Sequence, residues 1–329
     1  MGVHGGRAVE QVSLVSSSGV EGDILNYGVV VRDWRVPVVG ALRSVVLGFE
    51  TFEPYPVHSP HLGALAGRVA NRIGGARFEL NGQVYQLPVN ERDYCLHGGP
   101  EGLGFQVWDM EPDSAGQRVR FRHHSPHGAM GFPGNVEFEA VYTLEANRLR
   151  LELSATADRD TPISLVQHQY FNLGAGDDVL GHLVTINADR YTPVSADLMP
   201  TGEVASVAGT IYDLRNGGLL RDASGKPNDF DINLCLTEAR DPSAPVVQVA
   251  GPDGALTLKL WTDRPGMQFY NGVWTDIEFS GLGGKRYGKY SGLCFEDQAW
   301  PDAVHHDNFP SIIHGPDRPY SHFCEIEIG

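Results

Sequence analysis

The chain has 329 residues, a formal net charge of −16, 40 glycines and 21 prolines. That length fits one large β or α/β domain or two smaller domains, and the short runs of Tyr, Trp, Thr and Val between Gly and Pro favour strands and turns over long helices. The negative balance argues against a basic surface for nucleic acid or anionic lipid, and no apolar run is long enough to span a bilayer.

Residues 9–16, 22–31, 32–37 and 43–49 read as short strands divided by turns, the pattern of an antiparallel meander. Residues 51–63 hold three prolines and read as a long loop. Residues 76–80 and 83–87 flank Asn81-Gly82, a strong hairpin signal. This hairpin is expected to hold Arg68, Asn71 and Arg72 against the body of a sheet. Arginine offers a rigid fork of donors suited to hydroxyls or to a carboxylate. His97 precedes Gly98-Gly99, where glycine lets backbone pass close to whatever the histidine touches.

His123, His124 and His127 lie in or beside an irregular segment at 124–134, and their spacing fits no standard metal set. Residues 136–143 and 149–155 alternate apolar and polar around a turn at Glu145-Ala-Asn147, which predicts a half-buried hairpin. The run 163–173 reads as a strand carrying His168 on one face with Val166 and Tyr170. A histidine there is a satisfied core residue or a proton-transfer group. Asp229 and Asp231 stand immediately before an apolar strand, and residues 245–260 form another hairpin with its tip at Gly251-Pro-Asp-Gly254. Residues 261–271 combine aromatic and amide side chains, the usual lining of a sugar site and also common in cores.

Residues 290–295 read as a strand that ends at Glu296 and Asp297, before Gln298, Trp300 and Pro301 break the pattern. A carboxylate at such an edge is fixed by the sheet and faces room for a ligand. Cys95, Cys235, Cys294 and Cys324 form no CxxC pair, so they are expected as reduced, buried thiols. Nothing in 1–18 resembles a secretory signal, which makes a cytoplasmic location the expectation.

Seven segments in order resemble the aldose 1-epimerase family: Gly67-Arg-Val-Ala-Asn-Arg-Ile73, Leu96-His-Gly-Gly99, Thr161-Pro162 with His168-Gln-Tyr-Phe-Asn-Leu173, Tyr191-Thr-Pro-Val194, Pro200-Thr-Gly202, Pro265-Gly-Met-Gln-Phe-Tyr270, and the block Phe295-Glu-Asp-Gln298, Pro301-Asp302 and Phe309-Pro-Ser311. The resemblance spans nearly the whole chain. It implies an all-β fold, a large antiparallel β-sandwich or supersandwich, as a single domain over 1–329. It implies interconversion of the α and β anomers of a neutral aldose such as galactose or glucose. Carried over by position, it makes Glu296 the catalytic base and His168 the catalytic acid, and it puts Asn71, Arg72, His97, Asp231 and Gln268 at or beside the sugar.

Such a reaction needs no cofactor and no metal, and the expected partner is a small sugar, with the protein a monomer or homodimer. A carboxylate beside His168 is expected to keep the imidazole protonated near neutrality against the opposing pull of burial. Three departures stand out. Ile232 occupies a place where the family usually has histidine, Asp297 one where it usually has threonine, and His305 follows the Pro-Asp-Ala segment where another polar residue is common. The rivals are a hexose 6-phosphate epimerase drawing on Arg68, Arg92 and Arg215, a non-catalytic sugar-binding protein, and a glycosidase pairing Glu296 with Asp231.

Overall fold

The computed structural model describes residues 1–58, 61–113 and 115–329. Three antiparallel sheets dominate it, of nine, five and four strands. The nine-stranded sheet has at its centre the hairpin Val136–Glu145 and Arg148–Ala157, next to the C-terminal strand Tyr320–Ile328. Alternation explains this hairpin. Leu149, Leu151 and Leu153 turn inward, while Arg148 and Arg150 face out and pair with Glu325 and Glu327 across the ladder. The expected hairpin at Asn81-Gly82 is present as Arg77–Leu80 and Gln83–Gln86, with both turn residues at positive φ. The one at 245–260 is present as Val247–Ala250 and Thr257–Thr262.

The five-stranded sheet carries Asp231–Leu236, Gly266–Tyr270 and Cys294–Gln298 as neighbours. Its inner face joins a core that also takes Leu14, Ile24 and Trp34 from the four-stranded sheet and Leu151, Leu258 and Ile326 from the nine-stranded sheet. Phe269 and Phe295 stack there, with ring centroids 5.4 Å apart. Burying apolar area between sheets in this way is the main favourable contribution to such a fold.

Several expected strands are shorter than their sequence suggests. The run 22–31 is the strand Glu21–Leu25, then a turn with Gly28 and Val29 at positive φ, and Val31 opens the next strand, Val31–Val38. The run 43–49 yields only Ala41–Ser44. The run 163–173 contains just Val166–Gln167, paired with Leu65–Ala66. The expected loop at 51–63 contains the one-turn helix Tyr55–His58, and its residues 59–60 lie outside the described residues. Apolar side chains in these places are buried by irregular backbone, which leaves no period in the sequence. All four cysteines are free and buried. Among the described residues no helix is long and apolar enough to cross a membrane.

Candidate active site

Strand register builds the floor of the site. Asn233, Gln268 and Glu296 stand opposite one another on three adjoining strands. Side chains alternate along a strand, so Asp231, Gln268, Tyr270 and Glu296 share one face. Ile232, Phe269 and Phe295 point the other way into the core. Ile232 therefore does not line the cavity on that face, and the histidine-to-isoleucine departure leaves its wall unchanged. Glu296 lies inside the strand Cys294–Gln298, not at its end as the sequence suggested. That strand is buried on both faces, so its polar residues are no sign that it has ended.

The opposite wall comes from two loops. Arg72 opens the short strand Arg72–Ile73, which pairs with Cys95–Leu96. His97 N–H donates to Asn71 O at 2.8 Å, and Asn71 N–H donates to His97 Nδ1 at 3.2 Å. Gly98 permits this crossing: at φ +84°, a Cβ there would sit 1.9 Å from Gly67 O. Asn71 Oδ1 accepts the Arg72 N–H at 2.9 Å, so this side chain braces the turn. His168 follows the strand Val166–Gln167. Its N–H donates to Ala64 O and its carbonyl accepts Gly63 N–H, each at 2.9 Å.

These elements close around a cavity of about 260 Å³. Asn71, Arg72, His97, His168, Asp231 and Glu296 all line it. Gln268 stands directly behind, its Nε2 donating to Asp231 Oδ1 at 2.6 Å. His168 Nε2 lies 3.6 Å from Glu296 Oε1. The imidazole stacks on Tyr170 at 5.1 Å and meets His97 edge-on at 5.2 Å. Arg72 Nη2 is 3.3 Å from Glu91 Oε1 and 4.0 Å from Asp231 Oδ2, with the guanidinium over the Tyr94 ring.

Burial governs the ionisation of these groups. It pushes Glu296 well above the usual carboxylate range, with Asp231 and Asp297 adding to the effect and Arg72 opposing it. It pushes His168 down to about 4. It also holds His97 well below its ordinary value, helped by His61, His168 and Arg72. Asp231 is raised by burial, an effect that Arg72 and Gln268 oppose. Burial therefore favours the neutral carboxyl of Glu296 and the neutral imidazole of His168 in the free site. This reverses the expectation that a nearby carboxylate keeps His168 charged. Desolvation penalises both charges, and at 3.6 Å their mutual attraction does not offset it.

His97, His168 and Glu296 offer ligating atoms within 4.8 Å of one another. His97 fits a cation poorly. Its Nδ1 accepts a backbone N–H, which leaves the ring proton on Nε2, so the ring offers the pocket a donor and no lone pair.

The arginines considered for a phosphate are committed elsewhere. Arg68 is buried, with Ser125 and the carbonyls of Pro126 and Pro133 as acceptors. Arg92 pairs with Asp197 at the cavity rim, and Arg215 pairs with Asp213 and Asp189. His305 bonds to Asp302, which also accepts Gly74 N–H and so ties the C-terminal block to the arginine loop.

Sequence reasoning did not single out Glu91, Tyr270, Trp274 or His61. Glu91 and Tyr270 fall inside segments already marked by their polar and aromatic composition. Trp274 stands out as a 64% exposed indole at the cavity wall. His61 packs 4.6 Å from His97, and nothing in its local sequence signals this.

A family model described as aldose 1-epimerase matches residues 10–327. The rat galactose mutarotase is 39% identical over 323 residues, covering 97% of this chain and 93% of the relative. The aldose 1-epimerase of Escherichia coli is 31% identical, covering 98% of this chain and 96% of its own. The solved structure of an aldose epimerase homologue from C. elegans superposes with a TM-score of 0.92 at 26% identity, covering 98% and 99% of the two chains.

Proposed function

This chain belongs to the aldose 1-epimerase family and is an isomerase that interconverts the anomers of aldose sugars; we propose that Glu296 and His168 are its proton-transfer pair, acting in a single domain over residues 1–329. The observation that carries this reading is the 3.6 Å approach of His168 Nε2 to Glu296 Oε1 inside a sugar-sized cavity.

Anomers exchange when the ring opens to the aldehyde, the C1–C2 bond rotates and the ring closes on the other face. Opening removes the proton from the C1 hydroxyl and breaks C1–O5 as the ring oxygen gains a proton. Glu296 as carboxylate takes the first proton, and His168 as imidazolium supplies the second. Closure runs the same transfers backwards. The pair carries one proton in this arrangement. The bound hydroxyls and the Arg72 charge compensate for separating the charges in a buried place.

His97 Nε2–H and Arg72 donate to sugar oxygens. Asp231, oriented by Gln268, accepts from a hydroxyl. Asn71 holds the turn that presents Arg72 and His97. The preferred substrates are neutral aldoses of the galactose and glucose type, and four free thiols suit a cytoplasmic location. Freshly dissolved α-D-galactose or α-D-glucose should reach its normal rotation faster with the protein present, at an unchanged endpoint. Relaxation at the buffer rate for both sugars would remove this substrate assignment.

A further inference from the structure

His61 does not line the sugar cavity, yet its ring packs beside both imidazoles that do. Its centroid is 4.6 Å from that of His97. It lies 6.2 Å from that of His168, with the two planes only 21° apart. The Phe105 ring meets it edge-on at 5.4 Å. The backbone of His61 reaches the same place. His61 O accepts the Ala64 N–H at 3.1 Å, which closes a turn, and the turn then holds the His168 main chain through Ala64 O and Gly63 N–H. The turn is itself anchored, since Gly63 O accepts Val31 N–H at 3.0 Å and Leu65 N–H donates to Gly28 O at 2.8 Å.

The two imidazoles in the cavity differ in what else orients them. His97 Nδ1 accepts the Asn71 N–H at 3.2 Å, a bond that fixes both its tautomer and its ring plane. His168 Nδ1 has no hydrogen-bond partner among the described residues. Rotation of a histidine ring about its last side-chain bond is soft by itself. Packing therefore chooses where His168 Nε2 points. Tyr170 lies near-parallel to the His168 ring at 5.1 Å, His61 near-parallel at 6.2 Å, and His97 edge-on at 5.2 Å. Planar rings at these separations favour such stacked and edge-to-face arrangements. Burial pushes His61 down to about 3, so near neutrality it packs as an uncharged ring.

We propose that His61 is a positioning residue whose flat ring, set in place by the 61–64 turn, fixes the plane of the His168 imidazole so that Nε2 faces Glu296 and the sugar ring oxygen. The catalytic consequence rests on the assignment of His168 as the acid; the effect on ring orientation does not. Proton transfer needs hydrogen-bond geometry, and about 1 Å of misplacement costs about 10²-fold in rate. A His168 ring that turns spends only part of its time in that geometry, so the loss falls on kcat. His97 keeps its bond to Asn71, so sugar binding changes little.

The test uses His61→Leu and His61→Asn, which lack an aromatic ring, and His61→Phe, which retains one. Leucine fills a similar volume and asparagine keeps a polar group. Polarimetry gives kcat and KM, and thermal unfolding shows which variants are folded. The two ringless variants should lose about tenfold or more in kcat with KM within about threefold, and His61→Phe should return kcat to within about threefold of wild type. The imidazole ¹H–¹³C NMR signal of His168, assigned by its loss in His168→Asn, should broaden or split in the ringless variants and stay sharp in His61→Phe. A folded ringless variant with an unmoved, sharp His168 signal would assign His61 a structural role only and overturn the proposal, whatever its thermal stability. An equal loss of kcat in all three variants would also overturn it, by giving the role to the imidazole nitrogens. If His168→Asn retains activity, the acid assignment falls, while the His168 signal in the ringless variants still decides this one.

Discussion

Replacing Glu296 with glutamine separates the chemistry of the site from its architecture. The residue is 2% exposed and its volume is conserved, so no cavity opens. Burial favours the protonated carboxyl, and the amide is close to that form in shape and charge. Stability should therefore stay within about 1 kcal/mol of wild type near pH 4, where the carboxyl is largely protonated in the unfolded chain too.

The sign at higher pH is also determined. A raised folded-state pKa contributes stability below the unfolded value, and that contribution is lost as pH rises through the folded value. The glutamine variant loses nothing, so it should become increasingly the more stable of the two as pH rises above about 4.3. Catalysis responds differently. The amide cannot take the C1 hydroxyl proton, and kcat should fall by about 10² to 10⁴, or roughly 3–5 kcal/mol in the barrier. The assay is the initial change in optical rotation with fresh α-D-galactose, set beside urea unfolding at pH 4 and pH 7. A variant that folds normally and keeps more than about a tenth of wild-type kcat would refute the assignment of Glu296 as the essential base.

His168→Asn should lower kcat by about 10²-fold or more, read by the same polarimetry. It should also flatten part of the acid side of the stability curve. The folded imidazole sits at about 4 and the unfolded one near 6.5, so wild type loses up to about 3 kcal/mol as pH falls between those values, and urea midpoints at pH 7 and pH 4 should show the variant losing less. Equal losses in the two proteins would contradict the burial argument. Neutral aldoses should show kcat/KM about tenfold or more above their 6-phosphates, because Arg72 is shared between Glu91 and Asp231 and Arg92 is paired with Asp197. The reverse preference would point to a sugar phosphate as substrate.

Much of the fold can be read locally. The hairpin Val136–Glu145 with Arg148–Ala157 shows itself because one face is wet and one dry, and the Asn81-Gly82 turn because few residues tolerate two successive positive φ angles. The strands that hold the site are less legible. Asp231–Leu236, Gly266–Tyr270 and Cys294–Gln298 are covered on both faces, so they lack a two-residue period, and Glu296 looked like a terminus. His168 sits on irregular backbone tied to the 63–64 segment, a contact across about a hundred positions that no local pattern encodes.

Which groups are available is legible along the chain: one glutamate, one histidine and a short set of donors and acceptors in segments whose order marks the family. So are the strands that have one wet face, because such alternation is a property of neighbouring residues. The packed fold set which side of the sheet each group occupies. Register placed Gln268 beside Glu296, while parity sent Ile232 into the core and Asp297 onto His322. It also decided which ionised forms the site disfavours. That depends on the water excluded by every element packed around Glu296 and His168, and desolvation is a sum over the surrounding volume that no stretch of sequence contains.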